Sequence, residues 1–185
     1  MGEVLLRDRL TRAGVDARVT SAGLISEGVA ASDGSVRAMS KRGLDLGAHR
    51  SRPMTEEMVR SADLVVGMAR EHVREAVVLA PDRLPHAFTL RELVRRAEAE
   101  GPRRRASGLV SETSPGIRLE SFEGWLARLS EGRRAAHLLG SNPADDIEDP
   151  MGRSRRHYER TAVEIEELVD RFMVQAFPLS ARVAR

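Results

Sequence analysis

The 185-residue sequence predicts a single α/β domain in which helices cover a parallel sheet. Three observations predict it. Leu64-Val65-Val66-Gly67-Met68 is a short unbroken apolar run, the pattern of a parallel strand covered on both faces. His86–Leu90 supplies a second short strand, and a helical pattern fills the stretch between the two. Tyr158, Ala162, Ile165, Val169 and Phe172 fall on one stripe and give the clearest amphipathic helix of the chain. Hydrophobic residues make up 41% of the sequence, enough for one core at this length, and no repeat or second core is visible. Residues 1–185 therefore read as one domain.

Each element has its own signal. The chain opens in a helix, with Val4, Leu6, Leu10 and Ala13 as its apolar stripe and Gly14 as its stop. Ala17–Ala22 alternates as a strand would and runs into a turn at Gly23. Asp33 is placed to cap a short helix carrying Val36 and Met39, which Gly43 ends. Thr55 caps the next helix, with Glu56 and Glu57 in its positive first turn. After the Leu64–Met68 strand a helix carries His72, Val73, Val77 and Val78 up to Pro81. Thr89 and Glu92 read as a capping box opening another helix. Gly101–Arg118, with the Arg103-Arg104-Arg105 run, is poor in hydrophobics and reads as a solvated, mobile loop. Phe122, Trp125, Leu126 and Leu129 then describe a packed helix.

Composition narrows the function classes. The net charge is +2, and Lys41 is the only lysine among 30 basic residues. Such arginine dominance reads as residue preference and not as a nucleic-acid footprint, although the guanidinium fork suits acidic or phosphorylated partners. No apolar run approaches the roughly 20 residues a membrane helix needs, so the reading is cytoplasmic, without membrane or nucleic-acid partners. There is no cysteine, which removes disulfides, thiolate metal sites and thiol catalysis within these residues. His72, His86, His137 and His157 show no metal-ligand spacing, and no metal or cofactor is expected.

Five stretches in order carry a resemblance. Met1-Gly2-Glu3 leads into a hydrophobic helix, and Ala17–Gly23 contains Ser21-Ala22-Gly23. Arg42-Gly43-Leu44-Asp45 precedes His49-Arg50-Ser51-Arg52. Ala62-Asp63-Leu64-Val65-Val66-Gly67-Met68 follows, and Asp149-Pro150 stands before Tyr158-Glu159. Together they resemble the low-molecular-weight protein-tyrosine phosphatases from just after that family's phosphate-binding C-x5-R-S-P loop. The match is poorest at about 101–144, which looks like a loop-rich elongation. Met151 stands where the family commonly has tyrosine, and Ala69 where it often has aspartate.

The resemblance implies a three-layer, doubly wound fold of the phosphotyrosine protein phosphatase I type with its first strand absent. It implies hydrolysis of phosphotyrosine or aryl phosphate monoesters through a cysteinyl-phosphate, with a phosphotyrosine protein, bacterial tyrosine kinases included, as partner. Asp149 corresponds to the general acid and base, although an Asp-Pro pair equally reads as an N-cap and first residue of a helix. Ser21 and His49 correspond to residues that support the phosphate loop. Gly2 marks a helix N-terminus that favours an anion weakly. Asp145 and Asp146 are neighbouring carboxylates without motif support, and Arg50 and Arg52 read as solvated.

The family's cysteine and arginine are both missing from the sequence. The expectation is therefore an inactive chain, either started at an internal methionine or truncated in its lineage. A pseudophosphatase that binds a phosphoprotein or anion is the alternative; an arsenate-reductase-like activity ranks lower because it needs further thiols. In the family the missing strand lies between Ala17–Ala22 and Leu64–Met68, so marginal stability and a broad thermal transition are expected.

Overall fold

The computed structural model describes residues 1–25, 27–104 and 120–178. Helix α1 spans Gly2–Arg12 and stops where Gly14 takes a φ of +66°, a conformation that side chains disfavour. Helix α2, Asp33–Ser40, is capped by Ser32, whose hydroxyl accepts the Ser35 N–H at 3.4 Å. The expected cap, Asp33, sits one residue inside, where its charge meets the positive end of the helix. Helix α3, Glu56–Ser61, begins at Thr55 as expected, with Oγ1 accepting the Met58 N–H at 3.2 Å.

Strand β1 (Val65–Gly67), helix α4 (Arg70–Leu79) and strand β2 (Ala87–Thr89) form a strand–helix–strand unit. The strands pair in parallel, with Val65 opposite Ala87, Val66 opposite Phe88 and Gly67 opposite Thr89. Helix α5, Leu90–Glu100, starts at Thr89, whose Oγ1 accepts the Glu92 N–H at 3.1 Å. The returning half of the expected capping box is replaced: the Glu92 carboxylate accepts from Arg96 at 3.0 Å and Arg133 at 2.8 Å. Helices α6 (Phe122–Leu129) and α7 (Arg155–Ala176) follow.

Alternation along the strands separates two helical layers. Val66 and Phe88 face the main core with Leu5, Leu93, Trp125, Ile165 and Phe172, where α7 packs on α1, α2 and α5. Val65 and Ala87 face the other way, onto Val73, Ala76 and Val77 of α4. That is the helix–sheet–helix order the sequence predicted. α2 reaches α7 closely because Gly34 has no side chain; a Cβ there would lie 2.5 Å from the Tyr158 ring.

The Ala17–Ala22 strand is not formed. These residues carry no regular secondary structure and pair with no strand among the described residues. Their carbonyls turn to arginines: Val19 O accepts from Arg7 at 3.2 Å and Ser21 O from Arg52 at 2.8 Å. Backbone pairing resumes beyond them, where Gly23 bridges Pro53 and Ala30 bridges Arg50. The Leu64–Met68 run is also less covered than expected. All of β2 is buried, whereas Val65 and Val66 are only half-buried, because β1 meets a strand on one edge alone among the described residues.

The loop expected at Gly101–Arg118 is docked at its start. The Arg103 N–H donates to Gln175 O at 3.0 Å, and its guanidinium lies 5.6 Å from the Phe122 ring centroid, donating also to Glu120 O at 2.8 Å. Arg103 is thus a packing residue and not part of a solvated run; Arg105 and residues 106–118 lie outside the described residues.

Candidate functional site at the start of α1

Glu3, in the first turn of α1, gathers the site. Its Oε1 accepts from Arg7 one turn along, and its Oε2 accepts from the Ser21 hydroxyl. The Nδ1 of His49 stands 3.9 Å from the same Oε2. Burial acts to raise the Glu3 pKa, but the Ser21 hydroxyl and the charges of Arg7 and His49 outweigh it and hold the carboxyl below its ordinary range. Two residues singled out from sequence, Ser21 and His49, are therefore brought together at the Gly2 end of α1. Arg52 reinforces them through the Ser21 carbonyl, while Arg50 donates to the carbonyls of Gly47 and His49.

Met68 links this end to the segment carrying Asp149. Its Cε lies 3.0 Å from where a Cβ on Gly2 would be, and its carbonyl accepts the Ile147 N–H at 2.8 Å. Met68 directly follows β1, so the carboxyl end of that strand, the start of α1 and the 147–149 segment adjoin. In doubly wound folds this is where ligands bind.

Asp149 is exposed, and its Oδ1 accepts the Met151 N–H at 2.9 Å. It does not cap a helix: α7 begins six residues later, behind Ser154. The capping alternative is thereby removed.

Asp145 and Asp146 find their partners far away along the chain. Asp145 is buried and accepts from Arg70 at 2.7 Å and Arg95 at 2.6 Å. Burial pushes its carboxyl up, yet these two guanidinium groups bring it below the ordinary range. Asp146 accepts the Arg70 N–H at 2.8 Å and the Asn142 N–H at 2.8 Å. Ala69, the N-cap residue of α4, has no side-chain oxygen to do this, so Asp146 satisfies that helix end from 76 positions away. The one sequence signal was the alanine where the family often has aspartate. Glu3 was the other missed residue, although it stands inside the Met1-Gly2-Glu3 stretch. Among the described residues no cluster of His, Asp and Glu could hold a metal ion, and no helix is long and apolar enough to cross a membrane.

The layered fold and the meeting of α1 with the end of β1 define a doubly wound α/β protein. The family described as low molecular weight phosphotyrosine protein phosphatase matches residues 1–103. The low molecular weight protein-tyrosine-phosphatase Etp of Escherichia coli K12 is 31% identical over 133 residues, covering 70% of this chain and 85% of that protein. The crystal structure of a low molecular weight protein tyrosine phosphatase from T. tengcongensis has a TM-score of 0.63 at 26% identity, covering 93% of this chain and 86% of that one. A YwlE mutant from Bacillus subtilis, 24% identical with a TM-score of 0.61 over all of this chain and 88% of that one, shares the fold. The chain belongs to the low molecular weight phosphotyrosine protein phosphatase family.

Proposed function

We propose that this chain carries the leaving-group acid and the loop supports of a low-molecular-weight protein-tyrosine phosphatase, and that its 185 residues alone do not hydrolyse phosphomonoesters. The convergence of Ser21 and His49 on the first turn of α1 carries the first half. Composition supports the second: a cysteinyl-phosphate needs a thiolate, and the sequence has no cysteine.

In this reading Asp149 protonates the departing phenolate and then activates water. Its exposure, free of any helix end, favours that role. Ser21 and His49 steady the backbone of the phosphate-binding loop, and the Gly2 end of α1 directs its N–H dipoles at the phosphoryl group. The substrate is a phosphotyrosine protein or a small aryl phosphate, with a bacterial tyrosine kinase as natural partner in the cytoplasm.

Hydrolysis of p-nitrophenyl phosphate tests it. One protein is the 185-residue polypeptide; the other is the same polypeptide joined at Met1 to a strand and a C-x5-R-S-P loop. The reading expects turnover from the joined protein only. Turnover by the first, or none by the second, overturns it.

A further inference from the structure

Arginines in this fold are mostly neutralised. Arg9, Arg42, Arg70, Arg91 and Arg133 each meet one or more carboxylates within 3.0 Å. Around Asp149 this stops. Arg153, Arg155 and Arg156 are all exposed, and none forms a side-chain hydrogen bond or an ion pair among the described residues. The acids near them along the chain are taken: Glu159 accepts from Lys41 and Arg42, Glu148 is engaged by Arg160, and Asp149 accepts the Met151 N–H.

The turn that follows Asp149 brings the backbone of Arg153 back onto Pro150. The Arg153 N–H donates to Pro150 O at 2.9 Å, and Gly152 takes a φ of +72°. The same turn leaves Met151 66% exposed. Three exposed, uncommitted arginines and one exposed apolar side chain thus closely follow the exposed Asp149 along the chain.

The placement runs against local stability. Among the described residues every other α-helix has an acidic residue in its first turn, and α7 has none. Arg155 and Arg156 instead sit on the positive end of a 22-residue helix, close to Arg153. Natural chains retain such locally unfavourable charge chiefly at functional surfaces.

We propose that Arg153, Arg155 and Arg156 form a docking surface for the acidic flank of a phosphotyrosine-bearing protein segment. The inference rests on the phosphatase reading for the place of the phosphotyrosine, and on charge complementarity for the flank. The carboxylates of the flank pair with the guanidinium forks, and Met151 covers the apolar part of the segment.

Fluorescence anisotropy at low salt tests this on the 185-residue protein, with two labelled synthetic peptides. Both carry one phosphotyrosine, flanked in one by glutamates and in the other by serines and glycines. Wild type is expected to prefer the glutamate-flanked peptide by about tenfold, with the preference falling as salt rises. Combined Arg153→Ser, Arg155→Ser and Arg156→Ser is expected to remove the preference while leaving the thermal midpoint unchanged or raised. Equal binding of the two peptides by wild type, or a preference that survives in the triple variant, overturns the proposal. A preference found alongside an inactive joined protein upholds the docking surface while the phosphatase reading falls.

Discussion

The Ser21 hydroxyl donates to the carboxylate of Glu3, fastening the Ser21–Gly23 turn to the first turn of α1 across 18 positions of chain. Arg7 and His49 approach the same carboxylate, so one acid organises the first turn of α1.

Glu3→Gln should destabilise the fold by about 1 kcal/mol at neutral pH, because hydrogen bonds to a charged group are weakened without opening a cavity. The effect has a definite pH sign. The Glu3 pKa is depressed in the folded state, so its stabilisation is fully present above the unfolded value of about 4.3 and is lost as pH falls through the folded value. Urea midpoints of wild type and variant should differ at pH 7 and converge toward pH 3. A difference that persists at the acid end contradicts this role.

Asp145→Asn should cost more, about 2 kcal/mol, because it leaves the mostly buried Arg70 without its counter-charge. The figure falls below that of a fully buried pair because Arg95 is 54% exposed. Asp145 also has a depressed pKa, so its contribution disappears over the same acid range. Hydrogen exchange should quicken first at Arg70 and Ile147, whose N–H groups tie α4 to this segment. Uniform loss of protection across α1 and α7 would show that Asp145 serves the whole fold instead.

β1 has a strand partner on one edge among the described residues, and Ala17–Ala22 has none. Unpaired peptide groups on the half-buried edge of β1 cost up to about 1–3 kcal/mol each against a domain's stability of about 5–15 kcal/mol, while Ala17–Ala22 is mostly exposed and turns two carbonyls to arginines. Calorimetry of the 185-residue polypeptide should therefore give a broad transition, and joining a strand ahead of Met1 should sharpen it and raise its midpoint. A sharp melt of a soluble monomer without the added strand contradicts this.

Much of the fold was legible because its signals are local. The caps at Thr55 and Thr89, the stop at Gly14 and the stripe of α7 depend only on nearby residues, and all are present in the structure. Ala17–Ala22 was misread because strand character depends on a neighbour, and its carbonyls found Arg7 and Arg52 instead. The site divides the same way. Motif order marked Ser21, His49 and Asp149, whereas Asp146 serves α4 from 76 positions away, a distance at which no periodicity operates. Arg103 was read as solvent-facing from its arginine neighbours, but Phe122 and Phe177, distant in sequence, receive it.

The most direct test compares leaving groups. In the protein joined to a C-x5-R-S-P loop, kcat/KM, which reports the steps up to departure of the phenol and not the later hydrolysis shared by both substrates, is measured for phenyl phosphate and p-nitrophenyl phosphate, with Asp149 and with Asp149→Asn. Phenolate needs a proton to depart and p-nitrophenolate hardly does, so the variant should lose about 10²–10⁴-fold on phenyl phosphate and far less on p-nitrophenyl phosphate. Its stability should stay within about 0.5 kcal/mol of wild type, since the side chain is exposed. An equal loss on both substrates, or none on either, would contradict the assignment of Asp149 as the leaving-group acid.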